Sequence, residues 1–129
     1  MKKDIHIPKV KDIAIAVVED GEDWIAYLIN MNNFPLENTL VSSKGYGSLN
    51  NKQKKTTSFS HYLGTIKEMS YKKVEHINKE VLGLTNEFFV TYYVDNLIYD
   101  KKYIFLPESI ITENKTSLPL IDCKGIMIK

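Results

Sequence analysis

The sequence predicts an all-β fold, most specifically an immunoglobulin-like antiparallel β-sandwich of about seven to eight strands. Two period-two hairpins carry this prediction, together with short strand candidates that turn residues separate at roughly ten-residue spacing. The 129 residues are enough for one hydrophobic core and show no repeat or linker, so we expect a single domain over residues 1–129. A small β-barrel and an α+β fold with one helix near residues 70–84 are the alternatives.

The first predicted hairpin runs from Lys11 to Asn30 and turns at Asp20-Gly21. Asp-Gly is a preferred two-residue hairpin turn because both central residues must take a positive φ. With this turn, Val17 lies opposite Trp24, and opposed residues share a face of the sheet. The apolar face that results consists of Ile13, Ile15, Val17, Trp24, Ala26 and Leu28.

The second predicted hairpin runs from Glu87 to Leu106 and turns at Asp95-Asn96, two residues that also tolerate left-handed backbone geometry. The same pairing arithmetic gives it an apolar face. That face consists of Phe88, Val90, Tyr92, Val94, Leu97, Tyr99, Tyr103 and Phe105. We expect the two apolar faces to form the two halves of one core.

The segment between the hairpins is predicted to begin with a polar turn at Asn30 to Pro35 and a strand at Leu36 to Lys44. A β-turn at Gly45-Tyr46-Gly47-Ser48 would end this strand, because no helix pattern follows that could make the glycines a phosphate loop. Ser48 to Lys55 is predicted to be a solvated loop, and Thr56 to Leu63 a further strand.

The segment Ser70 to Leu84 fits two periods: alternation favours a strand over residues 70–77 followed by one helical turn, whereas Val74, Ile77 and Val81 also fit helical spacing. A last strand is predicted at Ile121 to Ile128, after a connection that covers residues 107–119. Residues 1–9 are expected to form a tail or an edge strand.

Composition excludes several kinds of function. All 17 basic residues are lysine, so the bidentate clamps and stacking platforms that arginine supplies are absent. The net charge of +1 gives no general attraction to nucleic acid or to an anionic membrane. One cysteine, Cys123, and the lack of an apolar leader after Met1 predict a cytoplasmic protein without a membrane anchor.

No catalytic, cofactor or metal site is expected from the motifs. His6, His61 and His76 lack the short spacings of a zinc site, and no G-x-S-x-G elbow is present. Glu19, Asp20, Glu22 and Asp23 surround the first turn without the ligand order of a calcium loop.

Basic residues cluster in one candidate nucleic-acid loop, formed by Lys52, Lys54 and Lys55. Lysines near exposed aromatic side chains are what a single-strand binder needs. Nearby acidic residues make a solubilising surface the favoured interpretation.

The outward faces of the two hairpins are also apolar, which is unusual in a two-layer sandwich. Either a connection covers these faces within the monomer, or they form a surface for self-association or a partner. The candidate interaction face consists of Tyr27, Ile29, Phe89, Tyr93, Ile98 and Ile104.

Several strand and turn segments carry a resemblance that covers nearly the whole chain. These segments are Ile7-Pro8, Val10-Lys11-Asp12, Tyr27 to Asn30, Pro35-Leu36-Glu37, Val41 to Tyr46, Leu63-Gly64 and Asn86 to Thr91. In them the chain resembles a small uncharacterised bacterial family whose members are sometimes labelled in genomes as a phenylalanyl-tRNA synthetase subunit. The label implies a role beside a synthetase. Class II synthetases hold ATP with arginines, so we do not expect synthetase activity from this chain alone.

From these observations we expect a non-enzymatic interaction or assembly module that works through its apolar outer surface as a homodimer or with a protein partner. One alternative is a nucleic-acid-linked or synthetase-associated accessory protein that uses Lys52 to Lys55. Another is a barrel that holds a small apolar ligand against the aromatic side chains of the second hairpin.

Overall fold

The computed structural model describes residues 8–129, apart from the side chain of Leu49. These residues form two antiparallel five-stranded sheets that pack as a β-sandwich and do not close into a barrel. The predicted all-β sandwich is therefore confirmed, and the barrel alternative is wrong. Residues 1–7 of the predicted tail lie outside the described residues.

Ten strands follow one another along the described chain, more than the seven to eight expected. They are β1 (Ile13–Asp20), β2 (Asp23–Asn30), β3 (Leu36–Leu49), β4 (Lys52–Lys55), β5 (Phe59–Ile66), β6 (Ser70–Ile77), β7 (Thr85–Val94), β8 (Leu97–Phe105), β9 (Thr116–Ser117) and β10 (Lys124–Ile128). The short strands β4 and β9 lie in segments that were expected to be irregular.

The strands divide into two sheets. Sheet A has the order β6-β2-β1-β10-β9, and sheet B has the order β4-β3-β7-β8 with β5 also paired to β3. The immunoglobulin-like character of the sandwich stays a prediction.

The second hairpin has the predicted register. Asp95 and Asn96 both take positive φ angles, of 49° and 65°, and form the two-residue loop between β7 and β8. Phe88 consequently pairs with Tyr103 across the two strands. Here the turn residues alone determine the pairing.

The first hairpin has the predicted faces but a different turn. Its loop is Gly21-Glu22, with Gly21 at φ 66°, so that Val17 pairs with Ala26 and not with Trp24. The predicted register was wrong by two residues because glycine occupies the first central position, as in type II′ turns. A shift of two residues preserves the face, and the six predicted apolar residues are all buried in the core.

The segment around Gly45-Tyr46-Gly47 is not a turn. It continues β3, and the chain reverses at Asn50-Asn51, whose φ angles of 53° and 62° are both left-handed. The predicted loop Ser48 to Lys55 therefore contains β4, which pairs with the end of β3. Backbone hydrogen bonds form this pairing, so it needs no apolar pattern in the side chains.

The structure shows that residues 70–77 follow the strand period and not the helical one. β6 covers the predicted strand, one 3₁₀ turn follows at Lys79–Val81, and no α-helix occurs in residues 8–129. The α+β alternative is therefore wrong. β5 lies three residues later than expected, and β10 begins at Lys124 because residues 118–123 turn through backbone bonds of their own.

The core fills the space between the sheets. Phe88 and Phe105 meet edge to face with their ring centroids 5.9 Å apart, and Tyr92 stacks on Tyr99 at 5.1 Å. The buried hydroxyl of Tyr103 donates a 2.8 Å hydrogen bond to the carbonyl of Ile13, joining β8 of sheet B to β1 of sheet A. These aromatic side chains fill much of the space between the sheets.

The buried side-chain amide of Asn30 binds both connections by which the chain passes between the sheets at one end of the sandwich, β2–β3 and β5–β6. The Nδ2 of Asn30 donates to the carbonyls of Phe34 at 2.9 Å, of Ile66 at 3.3 Å and of Lys67 at 3.0 Å. Its Oδ1 accepts from the backbone N–H of Asn32 at 3.0 Å. The bonds to Ile66 and Asn32 are buried, so these two backbone groups depend on the fully buried Asn30 for a partner, whereas the carbonyl of Lys67 also accepts from the hydroxyl of Ser70.

We expect Asn30→Asp to lower the free energy of unfolding by at least about 2 kcal/mol, because it removes the amide donor and turns a carboxylate oxygen toward buried carbonyls. Chemical denaturation measures this change. Asn33→Asp is the matched control, since Asn33 is exposed on the same connection. Equal effects of the two variants would contradict the role given to Asn30.

Burial raises the pKa of Tyr92 to about 12, and burial also raises the pKa of Tyr103. An unfolded tyrosine ionises near pH ~10, so above that pH the unfolded chain releases protons that the folded chain retains. The free energy of unfolding should therefore fall as the pH rises from about 10 to 12. Denaturant titrations across this range should show a smaller fall for Tyr92→Phe; an unchanged slope would contradict the assignment.

Candidate interaction face

The outer face of sheet A is covered by the protein's own chain. Leu118 and Ile121, from the connection between β8 and β10, pack on Ala14, Ala16 and Ile29. The packing is close: a Cβ at Gly125 would lie 2.5 Å from a backbone oxygen of β1 and 2.7 Å from the side chain of Leu118. Glycine is required there, and the connection covers the apolar centre of this face, formed by Ala14, Ala16 and Ile29.

The candidate interaction face is consequently divided between two environments. Ile29 is fully buried under the connection. Tyr27 is half-buried, with its ring edge against Tyr71 at 5.7 Å. Neither residue belongs to an exposed face, because sequence periodicity shows which side of a strand a residue is on but not what covers that side.

The other four predicted residues lie together on the outer face of sheet B, here called the open face. This face consists of the outward side chains of β3, β5, β7 and β8. Its large apolar members, each between 37% and 67% exposed, are Leu40, Tyr62, Phe89, Tyr93, Ile98 and Ile104. The structure adds Leu40 and Tyr62, which the sequence analysis missed.

Leu40 was missed because it precedes the buried Val41, and two adjacent apolar residues do not show which one points outward. Tyr62 lies opposite Leu40 on β5. The alternation of Leu40 with Ser42 and Lys44 was the available signal for the outward side of β3.

The strand pairings arrange the open face in four rows across β3, β7 and β8. From one end to the other the rows are Glu37, Tyr93 and Ile98; Leu40, Thr91 and Asp100; Ser42, Phe89 and Lys102; and Lys44, Glu87 and Ile104. The carboxylates of Glu37 and Asp100 lie toward one end, and the ammonium groups of Lys44 and Lys102 lie toward the other.

Glu87 is the one residue of these rows with a nearly buried carboxylate, at 7% exposure. Lys44 and Lys102 place their Nζ atoms 3.7 Å and 3.9 Å from it, and the hydroxyl of Tyr46 donates to it at 3.1 Å. Burial, and then this carboxylate, raise the pKa of Tyr46. Two lysines against one carboxylate leave this end of the face with a positive balance.

A polar cluster formed by Ser43, His61 and Glu75 joins the two sheets at one side of the sandwich. The sequence did not predict this cluster. The Oε1 of Glu75 on β6 accepts hydrogen bonds from Ser43 Oγ on β3 at 2.5 Å and from His61 Nε2 on β5 at 2.7 Å. These residues are far apart in the sequence, because each comes from a different strand. No sequence motif with a fixed spacing could therefore identify them. Ser43, a polar residue at an inward position of β3, was the single available signal.

The arrangement of this cluster is structural and not that of a nucleophile. A serine nucleophile needs the imidazole as its base, whereas here both the hydroxyl of Ser43 and the imidazole of His61 bind the carboxylate of Glu75. The adjoining cleft, about 140 Å³, is below the ~300 Å³ at which small-molecule sites begin.

Three of the four acidic residues around the first turn bind other side chains or backbone groups: Glu19, Glu22 and Asp23. Hydrogen bonds from Lys115 and Thr112 lower the pKa of Glu19, and hydrogen bonds from His76 and the backbone of Lys79 lower the pKa of Asp23. Within residues 8–129, no three His, Cys, Asp or Glu side chains lie close enough to hold a metal ion.

The predicted basic loop is the exposed strand β4. Lys55 pairs with Tyr46 and therefore points to the side of the open face. Lys52 and Lys54 belong to the opposite side, because side chains alternate along a strand. The three lysines do not form one continuous platform.

Comparison with protein-family models, with curated proteins and with solved structures gives no match for this chain. In the described part of the chain, no helix is long and apolar enough to cross a membrane.

We expect Glu75→Gln to lower the free energy of unfolding by about 1–3 kcal/mol, because two hydrogen bonds lose their charged acceptor. Thermal and denaturant unfolding measure the change. Glu68→Gln, in the exposed turn between β5 and β6, is the matched control and should have little effect. If the two variants are equally stable, the cluster does not hold the sheets together.

Proposed function

We propose that this protein is a non-enzymatic protein-interaction and assembly module that docks through the open face. One observation carries the proposal: the chain covers the apolar centre of the outer face of sheet A with its own connection and leaves six large apolar side chains exposed on sheet B.

An exposed sheet face of this composition favours burial against another protein. Outward positions of a two-layer sandwich normally carry polar side chains, and contiguous apolar patches on soluble proteins mark interaction sites. Tyr62, Phe89 and Tyr93 supply the aromatic groups that are enriched at interface centres. Lysine and carboxylate side chains share the face with them and suit a polar rim.

A nucleic-acid function is the weaker candidate. It draws on Lys55 and on the lysines of the open face, but Lys52 and Lys54 point to the other side of the sheet. The family resemblance adds a synthetase as one protein partner that the open face could serve. A cytoplasmic location belongs to the same proposal and is supported by the exposed, unpaired thiol of Cys123.

We expect Tyr93→Glu combined with Ile104→Lys to abolish association while the domain still folds, because both side chains are exposed. The measurement is the solution mass, together with the proteins that co-purify with a tagged copy from the native host. Circular dichroism and thermal unfolding check that the variant is folded.

The matched control is Tyr71→Glu combined with Ile111→Lys, which makes the same two substitutions at residues that are 44% and 40% exposed outside the open face. It should keep the association of the wild type. If both variants behave alike, the open face is not the docking surface. If nucleic acid co-purifies and is lost when Lys52, Lys54 and Lys55 become glutamates, the nucleic-acid function replaces this proposal.

A further inference from the structure

We propose that the partner of the open face is a second copy of this chain, packed face to face about a two-fold axis that lies in the interface and runs across the strands. This inference rests on the proposed function and specifies its partner.

The arrangement of charge on the open face carries the inference. The midline of the four rows passes between the row of Thr91 and the row of Phe89. Asp100 and Lys102 are equally far from this midline on β8, and Glu37 and Lys44 occupy the two outermost rows on β3, where an irregularity between Glu37 and Leu40 adds one residue on the acidic side. Asp100 and Glu37 thus each have a basic counterpart at the mirrored position, whereas the nearly buried Glu87 mirrors Tyr93 and is held by Lys44 and Lys102 of its own copy.

One apolar pair is also mirrored. Ile98 and Ile104 occupy the two outermost rows of β8, at mirrored positions about the midline. Beyond the rows, Asp95 lies in the turn at the acidic end and Lys55 lies on β4 at the basic end. Along β8 the sign of the charge therefore changes from one half of the face to the other, while isoleucine occupies both outermost positions.

A two-fold axis across the strands converts this pattern into contacts. It reverses the strand direction of the second copy, which places Asp100 over the partner's Lys102, Glu37 over the partner's Lys44, and Ile98 over the partner's Ile104. Such an isologous interface requires a surface that complements itself, and the open face meets that requirement.

A two-fold axis along the strands would not do so. It would exchange β5 with β8 and place Asp100 over the partner's Tyr62 and Lys102 over the partner's Ser60. The carboxylate of Asp100 would then be covered without a charged partner, which is costly, and Lys102 would keep only its 3.9 Å contact with Glu87 of its own copy. The charge pattern therefore selects the axis across the strands.

The test uses two single variants, Asp100→Lys and Lys102→Glu, alone and mixed. In a dimer of either variant alone, two pairs of like charges face each other, and we expect the dissociation constant to rise at least about tenfold. In the mixture, each introduced charge faces one of opposite sign across the axis. Mixing should therefore restore association to within about threefold of the wild type, as measured by sedimentation velocity at low salt.

A matched control replaces Asp122 by lysine, since Asp122 is exposed on the connection that covers sheet A. It should leave the dissociation constant unchanged. If the wild-type chain dimerises but mixing does not rescue the two variants, the two-fold arrangement is wrong.

The failure of this inference can be told from failure of the proposed function. If the purified chain stays monomeric while Tyr93→Glu with Ile104→Lys still removes a host protein from the tagged copy, the open face binds another protein and the second copy is excluded. If that variant removes neither a dimer nor a host protein, both proposals fail.

Discussion

A β-sheet has two faces, and in a sandwich the core covers one face of each sheet. The outer faces need either polar side chains or additional cover, because strands with apolar residues on both sides cannot be satisfied by one core. In this protein the connection between β8 and β10 supplies that cover, and it lies on sheet A. Because the connection lies on sheet A and not on sheet B, apolar outward side chains of sheet B such as Phe89 and Tyr93 stay exposed.

The parts of the fold that the sequence predicted are those in which local chemistry determines the geometry. Asp95-Asn96 accepts two left-handed conformations and thereby sets the register of β7 and β8. Gly21 likewise identifies the first turn. It does not show whether glycine is the first or the second residue of the two-residue loop, because that depends on the φ angle of the neighbouring residue. The pairing of β3 with β4 was not predictable in the same way, because Gly45-Tyr46-Gly47 resembles a turn and Lys52 to Lys55 has no apolar alternation.

The candidate site could be predicted in part for a related reason. Strand periodicity placed Phe89, Tyr93, Ile98 and Ile104 on one face, and the same rule grouped Ile29 with them. Whether a face meets solvent depends on a connection that packs from a distant part of the chain, and periodicity carries no information about it. The cluster of Ser43, His61 and Glu75 could not be predicted for the same reason. The fold brings its three side chains together from three separate strands, and no single strand contains two of them.

The position of β10 has a consequence for synthesis of the protein on the ribosome. β10 lies between β1 and β9 in sheet A, although it is translated after every other strand of the described chain. β1, one of the first segments to emerge, therefore keeps one edge of unpaired backbone groups until Lys124–Ile128 is available. A nascent chain that stops before this point presents an open edge beside apolar residues, which is the kind of surface that chaperones and proteases recognise.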